Sequence, residues 1–140
     1  MAFSTNPLFI NTILLGGSSE EKLRGAAAAG FNQVELWQED VSNAVGDPCT
    51  LADLCQQLSL GLTDYQVLLD FDGAPQSLRE DKRLEALKMI ATAQRLGVST
   101  LLVPASTHPH CCTGRIEEDL RWLVQQAADN GLQVAYEAMA

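Results

Sequence analysis

Acidic, amide and imidazole side chains in this chain fall where strand-like runs finish. Glu35 lies near the end of the run Gln33-Val34-Glu35-Leu36, with Gln38, Glu39 and Asp40 just beyond it. Gln66 lies late in the run from Leu62 to Leu68, followed by Asp70 and Asp72. Ser106, Thr107, His108 and His110 follow Thr100-Leu101-Leu102-Val103, and Glu137 ends the run that begins at Gln133. In a parallel α/β array the loops after the strands gather at one face, and ligands bind there. A carboxylate delivered by an apolar strand is costly to bury unless it is paired or metal-bound. With Val134 and Tyr136 beside it, Glu137 is the leading functional carboxylate.

Glu35 stands in an equivalent place, either as a hydrogen-bond partner across a barrel mouth or as a group that faces substrate. Gln66 cannot titrate, so it could orient a substrate hydroxyl but not move a proton. The run His108-Pro109-His110-Cys111-Cys112 holds both histidines of the chain. Imidazole and thiolate are good zinc ligands, yet this spacing matches no structural zinc site, and adjacent residues rarely all reach one ion. It reads better as an active-site loop in which His108, nearest the strand end, serves as a local acid or base.

The elements that must carry these groups follow a repeated plan. Helical patterns give way to apolar runs at Ala29-Gly30-Phe31, Leu60-Gly61-Leu62, Leu96-Gly97-Val98 and Asn130-Gly131-Leu132, the glycines lying 31, 36 and 34 residues apart. Glycine suits the left-handed residue just past a helix end. Strands are expected at 10–15, 33–36, 62–68, 100–103 and 133–137. Ser18 with Glu21, and Ser77 with Glu80, have capping-box spacing. Thr50 is expected to cap a helix that buries Leu51, Leu54, Cys55 and Leu58, and Leu84, Leu87 and Ala91 to face inward from the next. Ile116, Leu120, Leu123 and Ala127 form the stripe of the last helix. Strands alternating with helices imply parallel pairing with right-handed crossovers. An open doubly wound sheet and part of a (β/α)8 barrel both satisfy that pattern. Gly16-Gly17-Ser18 after the first strand is neither a dinucleotide fingerprint nor a P-loop.

The chain has 140 residues, 46% of them hydrophobic, with 9 basic against 18 acidic residues and a formal net charge of −9. That balance argues against a broad nucleic-acid surface, which needs clustered lysine and arginine. No run approaches the roughly 20 apolar residues that span a bilayer, and the start lacks a signal-peptide pattern. Four cysteines without a CxxC spacing suit a reduced, cytoplasmic protein.

Glu21-Lys22-Leu23, Ala28-Ala29-Gly30-Phe31, Val34-Glu35-Leu36, Asp70-Phe71-Asp72-Gly73, Leu101-Leu102-Val103 and Val134-Ala135-Tyr136-Glu137-Ala138-Met139-Ala140 together carry a resemblance. They are similar to the N-terminal half of a xylose-isomerase-like TIM barrel, the superfamily of sugar phosphate isomerases and epimerases that also holds endonuclease-IV-type enzymes. The ending from Tyr136 resembles the segment in 3-dehydroshikimate dehydratases. The resemblance implies a partial (β/α)8 barrel over residues 1–140, about four βα units and a fifth parallel strand. It implies Glu137 as one ligand of a divalent cation (Mn, Mg, Zn or Co), the others coming from later strands. The reaction it implies is metal-assisted enolisation of a small sugar or hydroxy-carbonyl substrate, of isomerase or epimerase type. The alternatives are a dehydratase-like lyase and a non-catalytic half-barrel module. Dehydratase-like sequences tend to carry arginine just before the Asp-Phe-acid-Gly turn, where this chain has Leu69. By this reading the piece alone is inactive, and its exposed edges favour homo-oligomers.

Overall fold

The computed structural model describes residues 6–139, so Ala140 and the first five residues lie outside it. The described residues fall into two compact units that divide between Asp64 and Tyr65. The strands are β1 (Phe9–Asn11), β2 (Gln33–Trp37), β3 (Gly61–Gln66), β4 (Thr100–Pro104) and β5 (Gln133–Glu137). The helices are α1 (Ser19–Ala28), α2 (Gln38–Asn43), α3 (Pro48–Gln57), α4 (Arg79–Leu96) and α5 (Ile116–Asp129). The strands form one sheet in chain order, and β1–β2, β3–β4 and β4–β5 pair in parallel. A doubly wound sheet reverses its strand order at a switch point. Strict chain order with helical crossovers is the order of a barrel wall.

In the N-terminal unit, β2 buries Val34 and Leu36 completely and leaves Glu35 half-buried on the opposite face, as a strand's period of two requires. The expected first strand is cut short. Asn11 accepts a hydrogen bond from the Ile13 N–H, and Thr12–Leu14 turn into a 3-10 helix, whose buried Thr12 accepts from the Trp37 N–H through its hydroxyl. The Ser18–Glu21 capping box forms as its spacing predicts, with the side chain of each bonded to the other's backbone N–H. Helix α2 was not visible in the sequence pattern. Asp47, not Thr50, caps α3, because Pro48 fills the first helical turn, where a missing N–H costs nothing.

At the second helix-to-strand join the left-handed residue is Ser59, with φ +56, and Gly61 already belongs to β3. A side chain at Gly61 would press on Gln33 at 3.2 Å, so close strand approach accounts for that glycine. Gly30, Gly97 and Gly131 do take positive φ just past their helices.

In the C-terminal unit β4 buries Leu101 and Val103 fully, whereas Leu102, expected to be buried, is only partly so. The expected third strand stops two residues early, at Gln66, and the Gln66–Val67 peptide bond is cis. Ser77 and Glu80 make no capping box; Leu78 stands at the start of α4 without a side-chain cap. Leu84, Leu87 and Ala91 lie outward, and α4 buries Ala86, Met89, Ile90, Ala93 and Leu96 instead. That stripe places two alanines against the sheet, where small side chains let the helix approach closely. Helix α5 buries Leu123 and Ala127 as expected, with Asp119 beside them.

Candidate functional site

Strand alternation sorts the polar groups before any contact is considered. In the C-terminal unit Tyr65 aligns with Leu101 and Gln66 with Leu102. Leu102 aligns with Ala135, and Pro104 with Glu137. Aligned residues of parallel strands share a face, so Gln66, Leu102, Ala135 and Glu137 lie on the face opposite Tyr65, Leu101 and Val103. In the N-terminal unit Glu35 aligns with Asn11, again on the face opposite the fully buried Val34 and Leu36.

Gln66 is only 4% exposed, and its amide nitrogen has no hydrogen-bond partner among the described residues. A buried donor left unpaired costs about 1–3 kcal/mol. Glu137 is exposed, contrary to the burial expected for it. It sits on β5, last in the order of described strands, where solvent reaches the side chain. Its backbone carbonyl accepts from the Ala105 N–H at 2.8 Å. No hydrogen bond or ion pair joins Gln66, His108 and Glu137 to one another among the described residues.

His108 is half-buried and held by its loop. Its N–H donates to the Ser106 hydroxyl at 3.3 Å, and its Nδ1 accepts from the His110 N–H at 3.0 Å. With Nδ1 accepting, the neutral ring carries its proton on Nε2, which is a hydrogen-bond donor. The two imidazoles stand 5.9 Å apart. Cys111 and Cys112 carry free thiols in this loop. Among the described residues no three His, Cys, Asp or Glu side chains converge as a metal site would require. The donors present amount to one strand-end carboxylate, which does not by itself make a site for the implied cation.

The best-built network of this unit lies around Asp72, to which the sequence assigned no role. Asp72 is wholly buried; one carboxylate oxygen accepts from the Ser106 N–H at 2.9 Å, the other from the Tyr136 hydroxyl at 2.8 Å. Asp70, with φ +50, accepts from the Ser106 hydroxyl and the Thr107 N–H through a single oxygen. Partial burial, then the hydrogen bond and charge of Asp72, push the Tyr136 phenol up to about 12. Gly73, at φ +65, donates its N–H to buried Asp119 at 3.0 Å and accepts from the Cys112 N–H at 2.7 Å. Asp119 also receives two guanidinium N–H groups of Arg79, and an Arg115 N–H donates to the Ala74 carbonyl. The signal in the sequence was the Asp-x-Asp-Gly turn itself, a pair of short carboxylates before a glycine in the left-handed region.

A match to the xylose isomerase-like TIM barrel family covers residues 23–140. The chain belongs to this family. Two curated relatives are 3-dehydroshikimate dehydratases: that of Pseudomonas aeruginosa is 34% identical over 134 residues, and that of Pseudomonas putida 31% identical over 133. Each alignment covers 94% of this chain and 21% of the relative, so the chain spans about a fifth of their length. Among solved structures, a xylose isomerase-like TIM barrel/4-hydroxyphenylpyruvate dioxygenase fusion protein superposes with a TM-score of 0.87 at 29% identity, covering 96% of this chain and 22% of that one. The IolI protein with a bound zinc atom superposes at 0.79 with 17% identity, over 96% of this chain and 52% of its own. The fold is therefore α/β, a partial (β/α)8 barrel wall. No helix among the described residues is long and apolar enough to cross a membrane.

Proposed function

We propose that this chain is the N-terminal part of a barrel lyase of the 3-dehydroshikimate dehydratase type. Such an enzyme breaks the C–H bond beside a ketone, forms a C=C bond and releases the β-hydroxyl as water. The two relatives that carry this name align over 94% of the chain. The observation that carries the reading is Gln66, a buried strand-end amide with an unused donor. Its acceptor in this reading is a hydroxyl or carbonyl oxygen of a small hydroxy-carbonyl substrate.

In the N-terminal unit, Glu35 is the polar group of β2 that this reading assigns to substrate. His108, with Nδ1 engaged as an acceptor, presents Nε2–H as a hydrogen-bond donor to a substrate oxygen. Glu137 would be one ligand of a divalent cation, and the chemistry such an ion would supply is polarisation of the substrate carbonyl. A second reading is favoured by Leu69, half exposed where dehydratase-like sequences tend to have arginine. Without that charge the site suits a substrate lacking a carboxylate, and returning the proton to a different carbon makes the enzyme an isomerase or epimerase.

The test is turnover by the full-length polypeptide that contains this chain, supplied with 3-dehydroshikimate or with ketose sugars. The expected result is loss of dehydroshikimate with appearance of its dehydrated product, abolished by a chelator and reduced about 10- to 1000-fold by Gln66→Leu. Epimerised sugar without dehydration selects the second reading. A polypeptide that binds no divalent cation and turns over neither substrate is a non-catalytic assembly module.

A further inference from the structure

Two of the candidate groups of the C-terminal unit sit on different segments, His108 on the loop after β4 and Glu137 at the end of β5. Neither segment bonds the other's side chains directly, yet both are fastened to one atom group. The Asp72 carboxylate holds the Ser106 N–H at 2.9 Å with one oxygen and the Tyr136 hydroxyl at 2.8 Å with the other. Ser106 in turn receives the His108 N–H, and Tyr136 is the neighbour of Glu137 in the strand. Asp72 is wholly buried, so these bonds are not exchanged with water. Its own position is set by the glycine that follows. A side chain at Gly73 would lie 2.7 Å from both the Cys111 sulfur and the Cys112 carbonyl, and the Gly73 N–H is taken by Asp119.

We propose that Asp72 is the positioning residue of this site: one buried carboxylate sets the loop that carries His108 and the strand end that carries Glu137. It touches no substrate; it acts through Ser106 and Tyr136. The proposal rests on the functional reading above for what the two positioned groups do, while the positioning itself is a property of this chain.

The chemistry of the clamp separates positioning from charge. Asn at residue 72 keeps both bonds, because its carbonyl oxygen accepts from Ser106 and its amide donates to the Tyr136 oxygen. Ala keeps neither, and Tyr136→Phe cuts the β5 arm alone. Nitrogen-15 NMR of the protein reads these arms separately. In Asp72→Ala the Ser106 amide is expected to lose its exchange protection, and the His108 ring nitrogens to move toward the averaged values of a ring exchanging tautomers. Asp72→Asn is expected to restore both signals. In Tyr136→Phe the His108 signals stay in place while the Glu137 and Ala138 amides shift. In the full-length polypeptide Asp72→Ala is expected to lower kcat on the order of 100-fold with little change in KM, the scale of a misplaced reacting group.

A folded Asp72→Ala protein with unchanged His108 ring signals overturns the proposal, as does an Asp72→Asn protein indistinguishable from it. Should Asp72→Ala fail to fold, the contrast between Asp72→Asn and Tyr136→Phe decides: His108 signals disturbed by Asn or by Phe refute two independent arms. Absence of turnover in the unmodified full-length polypeptide defeats the dehydratase reading and leaves the NMR result to judge the clamp by itself.

Discussion

Two buried carboxylates, one in each unit, are satisfied in opposite ways. In the N-terminal unit Asp40 meets the ammonium of Lys22 at 2.7 Å, both side chains 7% exposed, with Trp37 under the cation and the Ser19 hydroxyl on the Asp40 carbonyl. In the C-terminal unit Asp72 is more deeply buried, yet among the described residues it has no cation partner, only an N–H and a phenol. The first arrangement pins α1 to α2 and leaves one Asp40 oxygen unpartnered among the described residues. The second uses both oxygens and joins three loop and strand segments. A salt bridge satisfies charge with charge and tolerates an incomplete hydrogen-bond set. A carboxylate without a counter-ion is held by geometry, and geometry is what a site needs.

The widest separation between the two comes from removing only the negative charge. Asp40→Asn leaves the Lys22 ammonium buried and uncompensated, with an expected loss of about 3–5 kcal/mol in urea unfolding. Asp72→Asn keeps two hydrogen bonds and is expected to cost no more than about 1 kcal/mol. Equal losses would mean that charge matters as much at Asp72 as at Asp40. The double change Lys22→Met with Asp40→Leu is expected to recover most of the loss, since hydrophobic replacement of a buried pair is often near neutral.

A middle-sized effect tests whether the C-terminal clamp is crowded as well as bonded. Gly73→Ala adds a left-handed strain and a collision at 2.7 Å, for an expected loss of about 3 kcal/mol. Gly97→Ala has similar φ but open space around the new methyl, and should lose only about 1–2 kcal/mol. Matching melting curves for the two variants would remove packing from the account of Gly73.

The smallest effect at neutral pH appears on the alkaline side. Burial pushes the Cys55 thiol up to about 11 and the Tyr65 phenol up to about 12. The folded protein therefore holds these protons longer than the unfolded chain does. The stabilisation is complete below the ordinary thiol value of 9.0 and is lost as pH rises through 11 for Cys55, with Tyr65 following over 10 to 12. Cys55→Ala should flatten the stability profile between about pH 9 and 11 and leave the later decline in place. An unchanged slope in that window would assign the alkaline loss elsewhere.

Local chemistry was well written into the chain. The Ser18–Glu21 box, three of the four helix-terminating glycines, four of the strand cores and the inward stripe of α5 follow from spacing alone, because each involves residues a few positions apart. Phase was less legible where two stripes competed: α4 offers Leu84 and Leu87 or Ala86, Met89, Ile90 and Ala93, and distance to the sheet, not hydrophobicity, chose the second. The strand-end placement of Gln66 was also readable, whereas Glu35 falls in the middle of β2 and His108 four residues past β4. The burial expected of Glu137 was not, because exposure at β5 depends on what lies beside the strand.

The order of the sheet is the simplest case of that division. Alternating helices and strands, glycine punctuation and apolar runs determined that this chain makes parallel βα units, since those signals act within about ten residues. They could not determine that Asp72 would meet Ser106 and Tyr136, 34 and 64 positions away. No periodicity links such residues; only when β3, β4 and β5 line up do an aspartate, an amide and a phenol come within hydrogen-bond range. The sequence supplied the polar groups and the tertiary structure decided which of them meet.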